Sequence, residues 1–358
     1  MTERVSTTRR DLIRLRLGLL GLTVVVLALS AWSFASTQNT LSTVREQTAP
    51  AVLDVASARA ALMQAHSAAV NSFVHRGAQL VGPGEQYLTD LAVAEQDLAR
   101  AAGDNAGGTA GSGELQLLAG LLTTYSGWMS QAGTHYDDST NVLYLTDLWY
   151  AARSLYGSDQ TLAHLDNLAA SQRAELNRQL SEGWLNPVTV LAWGVPALAL
   201  LGLLAYTQFY LWRRFGRRFN PALLGASALL LALMAATTSE LALTGQAESA
   251  TATLTSYVTS SDRQADAVSA RAQHDLVELV RQTCNPNGCG TTMPSTPPSV
   301  PPATTAPTAA SAADATAQFA GATDLGWLLV AIPVLALGIA ALALIGLQPR
   351  IDEFRYRS

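Results

Sequence analysis

Four uncharged apolar runs divide the chain, and each is as long as a bilayer is thick. They cover residues 17–34, 188–212, 222–239 and 325–347. A helix needs roughly 18 or more apolar residues to cross the hydrocarbon layer, and every run meets that length. Lipid offers the backbone no partners, so such runs fold as helices that satisfy their own N–H and C=O groups. The first run is too long to read as the core of a cleaved leader and is taken as an anchor.

The arginines sort across these runs. The chain contains no lysine, so all 22 basic residues are arginine. Three short polar stretches (1–16, 213–220 and 348–358) hold 12 of those arginines and four of the 27 acids, a net charge of +8. The two long stretches hold the other ten arginines and 23 acids, a net charge of −13. Positive segments stay in the cytoplasm, so both termini are expected inside and both long loops outside. The expected order is a cytoplasmic N-terminus (1–16), a span (17–36), an outer domain (37–187), a span (188–212) and a cytoplasmic loop (213–220). A span (221–243), an outer helix (244–290), a linker (291–324), a last span (325–347) and a cytoplasmic tail (348–358) follow. The fold class is all-α.

The first outer domain keeps a helical rhythm. Leu41, Val44, Thr48, Ala51, Val55, Ala58, Leu62, Ala65 and Ala69 recur at steps of three and four. Such a seam of small residues lets helices approach closely. The helix is expected to continue from the membrane to about Arg76, with Gly77 ending it. Gly82-Pro83-Gly84 marks a turn, and a second helix covers 85–102. Residues 103–113 read as a mobile glycine-rich loop before a third helix at 114–136. Asp137, Asp138 and Ser139 offer an N-cap for one long fourth helix that reaches Trp184. Two long helices with two shorter ones between them describe a four-helix bundle. The layout resembles the extracytoplasmic sensor bundles of bacterial chemoreceptors and sensor kinases.

The second outer loop reads as a helix extending the third span to about Thr283. Cys284 and Cys289 flank Asn-Pro-Asn-Gly, strong turn chemistry that brings two thiols together outside the cell, so a local disulfide is expected. A proline-rich linker spans 293–307, and a short helix is expected at 314–323.

No catalytic constellation is present. The five histidines are scattered, and none pairs with another at helical metal-ligand spacing. Nucleotide-binding, zinc-protease, hydrolase and kinase motifs are absent. No enzyme activity, cofactor, metal or nucleic-acid partner is expected. One aromatic group surrounds the turn between the third and fourth helices. Within it Trp128, His135, Tyr136, Trp149 and Tyr150 are the candidate partner or ligand surface. Filling of an alanine-rich bundle and contact with lipid headgroups are the competing readings. Inside, Arg213, Arg214, Arg217 and Arg218 of the loop and Arg350, Asp352, Glu353, Arg355 and Tyr356 of the tail are the candidate partner surface. Arginine there also serves topology and binding of anionic membrane lipids. A tail that serves lipid alone has no need of Asp352 and Glu353.

The whole layout, with Pro349, Arg350 and Glu353 in the short tail, resembles the actinobacterial GlnX-type membrane proteins. That resemblance implies an extracytoplasmic glutamate/aspartate-binding lipoprotein as outer partner. It also implies a Ser/Thr kinase of the protein kinase G type as inner partner. The implied function is a signal relay without chemistry of its own. A membrane scaffold for an envelope or transport complex and a direct small-molecule receptor are the alternative expectations.

Overall fold

A computed structural model of the chain describes residues 7–75, 83–105, 107–136, 142–182, 187–215, 221–284, 317 and 328–353. Among these the chain is almost entirely helical and contains no strand. The helices are α1 (Thr7–Thr43), α2 (Ala49–Val74), α3 (Glu85–Gly103), α4 (Gly108–Tyr136) and α5 (Leu143–Tyr156). They continue as α6 (Thr161–Glu182), α7 (Pro187–Phe215), α8 (Pro221–Thr283) and α9 (Leu328–Glu353).

α1 and α2 form one continuous helix with a π-helical turn at Val44–Thr48. Pro50 supplies no N–H and crowds the carbonyl one turn earlier. The helix widens just before it: the Ala49 N–H bonds to the carbonyl of Val44, five residues back rather than four.

The chain divides into two compact units. The first holds residues 1–42, 179–249 and 318–358. Its core is Leu19 and Val26 of α1, Leu200 and Leu204 of α7, Leu223 and Leu230 of α8, and Ile332 and Ile339 of α9. Its exterior is also apolar, with Leu17, Val24, Trp32, Leu191, Leu198, Phe209, Leu231 and Val334 exposed. A helix apolar on every side has no face suited to water. Neighbouring helices run antiparallel. The Trp193 indole N–H donates to Ser30 Oγ at 2.8 Å, and Gly18 faces Leu203, which aligns α1 with α7. Gly225 faces Leu342 and Gly338 faces Leu229, which aligns α8 with α9. Glycines and serines at such contacts are the packing devices of helices in lipid. Among the described residues one helix, Arg14–Val74, is long and apolar enough to cross a membrane. Pro221–Ala235 and Val330–Ile345 are shorter apolar helices.

The second unit holds residues 43–178 and 250–317. It draws on five helical columns: α2, α3, α4, the α5–α6 pair and the C-terminal half of α8. Ala265, Leu276 and Val280 of α8 lie in the same core as Leu62, Leu122, Leu148 and Leu168. The four-helix bundle expected at 37–187 therefore shares its core with the outer helix of the second loop. The sparse apolar residues of that helix form one stripe, and the bundle supplies the surface that buries it.

Two local expectations are corrected. The fourth helix is two helices: α5 ends at Gly157, whose backbone is extended, and α6 begins at Thr161. A Cβ at Gly157 would crowd the Arg153 carbonyl, and the Thr161 hydroxyl bonds to the Ser154 carbonyl across the break. The glycine-rich segment at 103–113 is also mostly ordered, because Asn105 clamps it. Asn105 Oδ1 accepts from the Gly107 N–H at 3.0 Å and from Gln172 Nε2 at 2.9 Å. Its Nδ2 donates to the Gly108 carbonyl and to Ser112 Oγ. Gly108 takes a positive φ of 60°, which starts α4 early.

A Cβ at Gly111 would run into Asn105 Oδ1. Replacing a helical glycine with alanine ordinarily stabilises by up to about 1 kcal/mol. Gly111→Ala is expected to do the reverse, costing about 1–2 kcal/mol by overpacking and loss of the clamp. Gly120→Ala, which meets nothing within 4 Å, is expected to raise the melting temperature and is the matched control.

The cap at Asp137–Ser139, the short helix at 314–323 and the 291–324 linker lie outside the described residues, except Ala317. So does Cys289, and with it the expected pairing to Cys284.

Candidate sensory site in the second unit

Arg59 of α2 gathers three aspartates from two other helices. Its Nε donates to Asp166 of α6 at 3.2 Å, and its Nη2 donates to Asp266 of α8 at 2.8 Å. Nη1 lies 3.8 Å from Asp262, which also accepts from Arg173 of α6 at 3.1 Å. The Arg59 side chain is 13% exposed, whereas those of Asp166 and Asp266 are 60% and 62% exposed. Burial works against the Arg59 charge, but the hydrogen bond to Asp266 and the nearby carboxylates of Asp166, Asp266 and Asp262 outweigh it. Its pKa is raised, so the guanidinium stays charged. None of these residues is among the sequence candidates. Asp262 and Asp266, one helical turn apart on an otherwise sparse helix, were the available signal, but nothing local points them at Arg59.

Above this cluster the core becomes polar and aromatic. His66 is fully buried, with Nδ1 3.2 Å from Tyr125 Oη and the Tyr156 ring edge-on at 5.4 Å. Burial lowers its pKa to about 4, so it is neutral at ordinary pH. Its Nε2 and the hydroxyl of buried Tyr87 find no hydrogen-bond partner among the described residues. Burial holds the hydroxyls of Tyr125 and Tyr87 well above the usual phenol range and that of Tyr156 at about 12. All three remain protonated.

The candidate aromatic surface splits in two. Tyr136 turns inward, packing edge-on against Phe73 and Tyr144 at ring distances of 5.3 and 4.9 Å. Its hydroxyl donates to the Phe73 carbonyl at 3.3 Å. Trp149 is half-buried against the same core. Trp128 and Tyr150 instead stack on each other at 5.0 Å along the edge of α4 and α5, with Tyr150 exposed. His135 pairs with Asp147 on these same two helices. A residue of α4 and its neighbour on α5 sum to about the same number in both pairs, as antiparallel helices require. Trp128, Tyr150, His135 and Asp147 therefore line one side of a helical hairpin.

A cleft of about 330 Å3 opens between α3 and α4, lined by Leu98, Ala102, Ala119 and Leu122 with Glu95 and Thr123 at its polar side. His164 fastens the far ends of α4 and α6, with Nδ1 2.8 Å from Glu114 and Nε2 3.4 Å from Asp159. Among the described residues no group of three His, Cys, Asp or Glu is placed to hold a metal ion.

Of the inner candidates, Arg213 is exposed near the end of α7. Arg214 lies in the last turn of α7, and Arg350, Asp352 and Glu353 in the last turns of α9. Arg217, Arg218, Arg355 and Tyr356 lie outside the described residues.

No curated protein and no solved structure matches the chain. One family model does, described as the actinobacterial sensor domain, and it covers residues 40–181. That segment runs from the end of α1 to the end of α6 and contains Arg59, His66, the α3–α4 cleft and the aromatic hairpin. It stops before α8, whose C-terminal half completes the same unit. Through residues 40–181 the chain matches the actinobacterial sensor domain, which supports a sensing role in signalling.

Proposed function

We propose that the protein is a four-span membrane relay without enzymatic activity, with its sensor unit outside the cell and its arginine-rich ends inside. The observation that carries this reading is the Arg59 cluster. It ties α2 and α8 together in the sensor unit, and the helices containing both continue unbroken into apolar segments. A shift of α8 against α2 is then a helix displacement that continuous helices can transmit. The four-span count is supported by apolar surface on both the inner and outer sides of α1, α7, α8 and α9 and by the arginine sorting. The sensor-domain match supports a sensing role for residues 40–181, and the direction, from outside inward, rests on the arginine sorting.

The outer partner in this reading is a solute-binding lipoprotein, docked on the hairpin edge of Trp128, Tyr150 and His135. The inner partner is a Ser/Thr kinase that reads Arg213 and the α9 end. A second reading, direct capture of a small apolar ligand, is favoured by the α3–α4 cleft of about 330 Å3.

Deleting residues 351–358 is expected to abolish signalling to the kinase while the protein still sediments with carbonate-washed membranes. Affinity capture from detergent extracts of the parent strain identifies the partners. Unaltered signalling by the truncated chain rejects the tail as the output. A raised melting temperature with a small molecule alone, and no captured lipoprotein, selects the second reading.

A further inference from the structure

Between α1 and α7, near the arginine-rich end of the apolar unit, lies a cavity of about 310 Å3 lined by Arg14, Leu15, Gly18, Leu203, Tyr206 and Tyr210. Its wall carries one formal charge, the guanidinium of Arg14, and no acid. We infer that this cavity is a binding site for one anionic phospholipid, with the phosphate on Arg14 and an acyl chain running along the groove opened by Gly18. The inference rests on the membrane reading of α1 and α7 given above.

The chemistry of the wall is graded. Arg14 is exposed at the polar end, so its charge is free to meet an anion without first being desolvated. Tyr206 and Tyr210 stack one turn apart, with ring centres 6.4 Å apart, and line the same cavity as Arg14. Tyrosine ring and hydroxyl together suit the boundary between headgroup and hydrocarbon. Leu15 and Leu203 then carry the wall into apolar surface. A Cβ at Gly18 would meet Leu203 in ordinary contact at 3.6 Å, so only a side chain longer than alanine would fill the groove there. Exposed Leu17 and Val24 on α1 and Leu198 on α7 extend the apolar surface beyond it. A free phosphate has no use for these apolar walls, whereas an anionic phospholipid matches both ends. Basic cavities between spans on the cytoplasmic side bind anionic headgroups by this logic.

The test uses the full chain, extracted from carbonate-washed membranes and exposed to an equimolar mixture of phosphatidylglycerol and phosphatidylcholine in detergent. Native mass spectrometry reads the retained lipid, and circular dichroism confirms helicity. The wild-type chain is expected to keep one phosphatidylglycerol in preference to phosphatidylcholine. Arg14→Gln, which removes the charge, and Gly18→Leu, which fills the groove, are each expected to lower its retention about tenfold. Arg14→Lys is expected to keep most of it, and millimolar inorganic phosphate to leave it in place. Retention by Arg14→Gln equal to the wild type overturns the site, as does displacement by inorganic phosphate. Recovery of the wild-type chain in the carbonate supernatant overturns the membrane reading and the site together. A membrane-embedded chain with unselective lipid overturns the site alone.

Discussion

Arg59→Met is expected to loosen α8 from the outer unit while the rest of the bundle stays folded. Among the described residues Arg59 is the one cation that reaches Asp166, Asp262 and Asp266 together, and its removal leaves carboxylates from two helices facing each other. Breaking a fully buried pair by deleting one partner costs about 3–5 kcal/mol, and an exposed pair is worth at most about 1. Arg59 is buried but two of its partners are more than half exposed, so the expected loss lies between, at about 2–3 kcal/mol. Hydrogen exchange reads it directly. Amides of α8 between 250 and 283 should exchange roughly 30- to 150-fold faster, with little change in α3 and α4. Arg59→Lys should recover only part of the protection, because one ammonium group cannot fork between Asp166 and Asp266. Arg173 still holds Asp262 in both variants, so the increase in exchange should be smallest at that turn. Unchanged protection of α8 in folded Arg59→Met would show that apolar packing alone seats this helix. In the proposed relay, the same variant should uncouple stimulus from output while the chain still sediments with carbonate-washed membranes.

Two buried groups pull the acid stability of the outer unit in opposite directions. The His66 pKa is lowered from 6.5 to about 4 by burial. Between those values the unfolded chain binds a proton that the folded chain refuses, so stability falls as pH drops from 6.5 toward 4. A shift of that size corresponds to about 3 kcal/mol. The Asp54 pKa is raised from 3.8 to about 6, first by burial, then by Asp97 and Asp104, with Arg100 opposing. Here the folded chain holds the proton more tightly. Its contribution is therefore lost as pH rises from 3.8 through 6. Asp54 is the less buried of the two, and solvent screening makes its effect the smaller. The wild-type outer unit should consequently show a shallow dependence of melting temperature on pH between 4 and 6. Asp54→Asn should raise stability above pH 6 and steepen the loss on acidification. His66→Gln should remove that loss and leave stability rising slightly as pH falls from 6 to 4. Parallel pH profiles for the three proteins would sink this account.

Much of the helical order was legible. The seam from Leu41 to Ala69 appears as α1, the π-turn and α2, and Pro83-Gly84 precedes α3. Helix is a local decision: side-chain spacing and flanking turn residues report it. The π-turn was missed because a single proline in a run of good helix formers reads as tolerable, and only the backbone shows how it is tolerated. The break at Gly157 was missed because the apolar face of α5 resumes in α6 in nearly the same phase. The glycine-rich segment looked mobile because composition does not reveal that Asn105 reaches Gln172, 67 positions away.

The candidate surfaces follow the same division. Aromatics at 125–156 were visible as a group, but their identity does not say which way each ring turns. Tyr136 and Trp128 lie on the same helix and face differently, since eight residues exceed two helical turns by nearly a quarter of a turn. Arg59 and its aspartates were invisible for a stronger reason. Their separations of 107 and 207 positions carry no periodicity, and each residue alone looks like an ordinary solvated charge.

Sequence by itself determined helical class, the apolar segments and the charge asymmetry between short and long loops. These follow from local spacing and from what each stretch costs to expose. Tertiary structure alone decided that the helix of the second loop belongs to the sensor unit. The reason is physical: residues 250–283 of α8 carry too few large apolar residues to be stable by themselves, and only a specific set of neighbours could bury their stripe and neutralise Asp262 and Asp266.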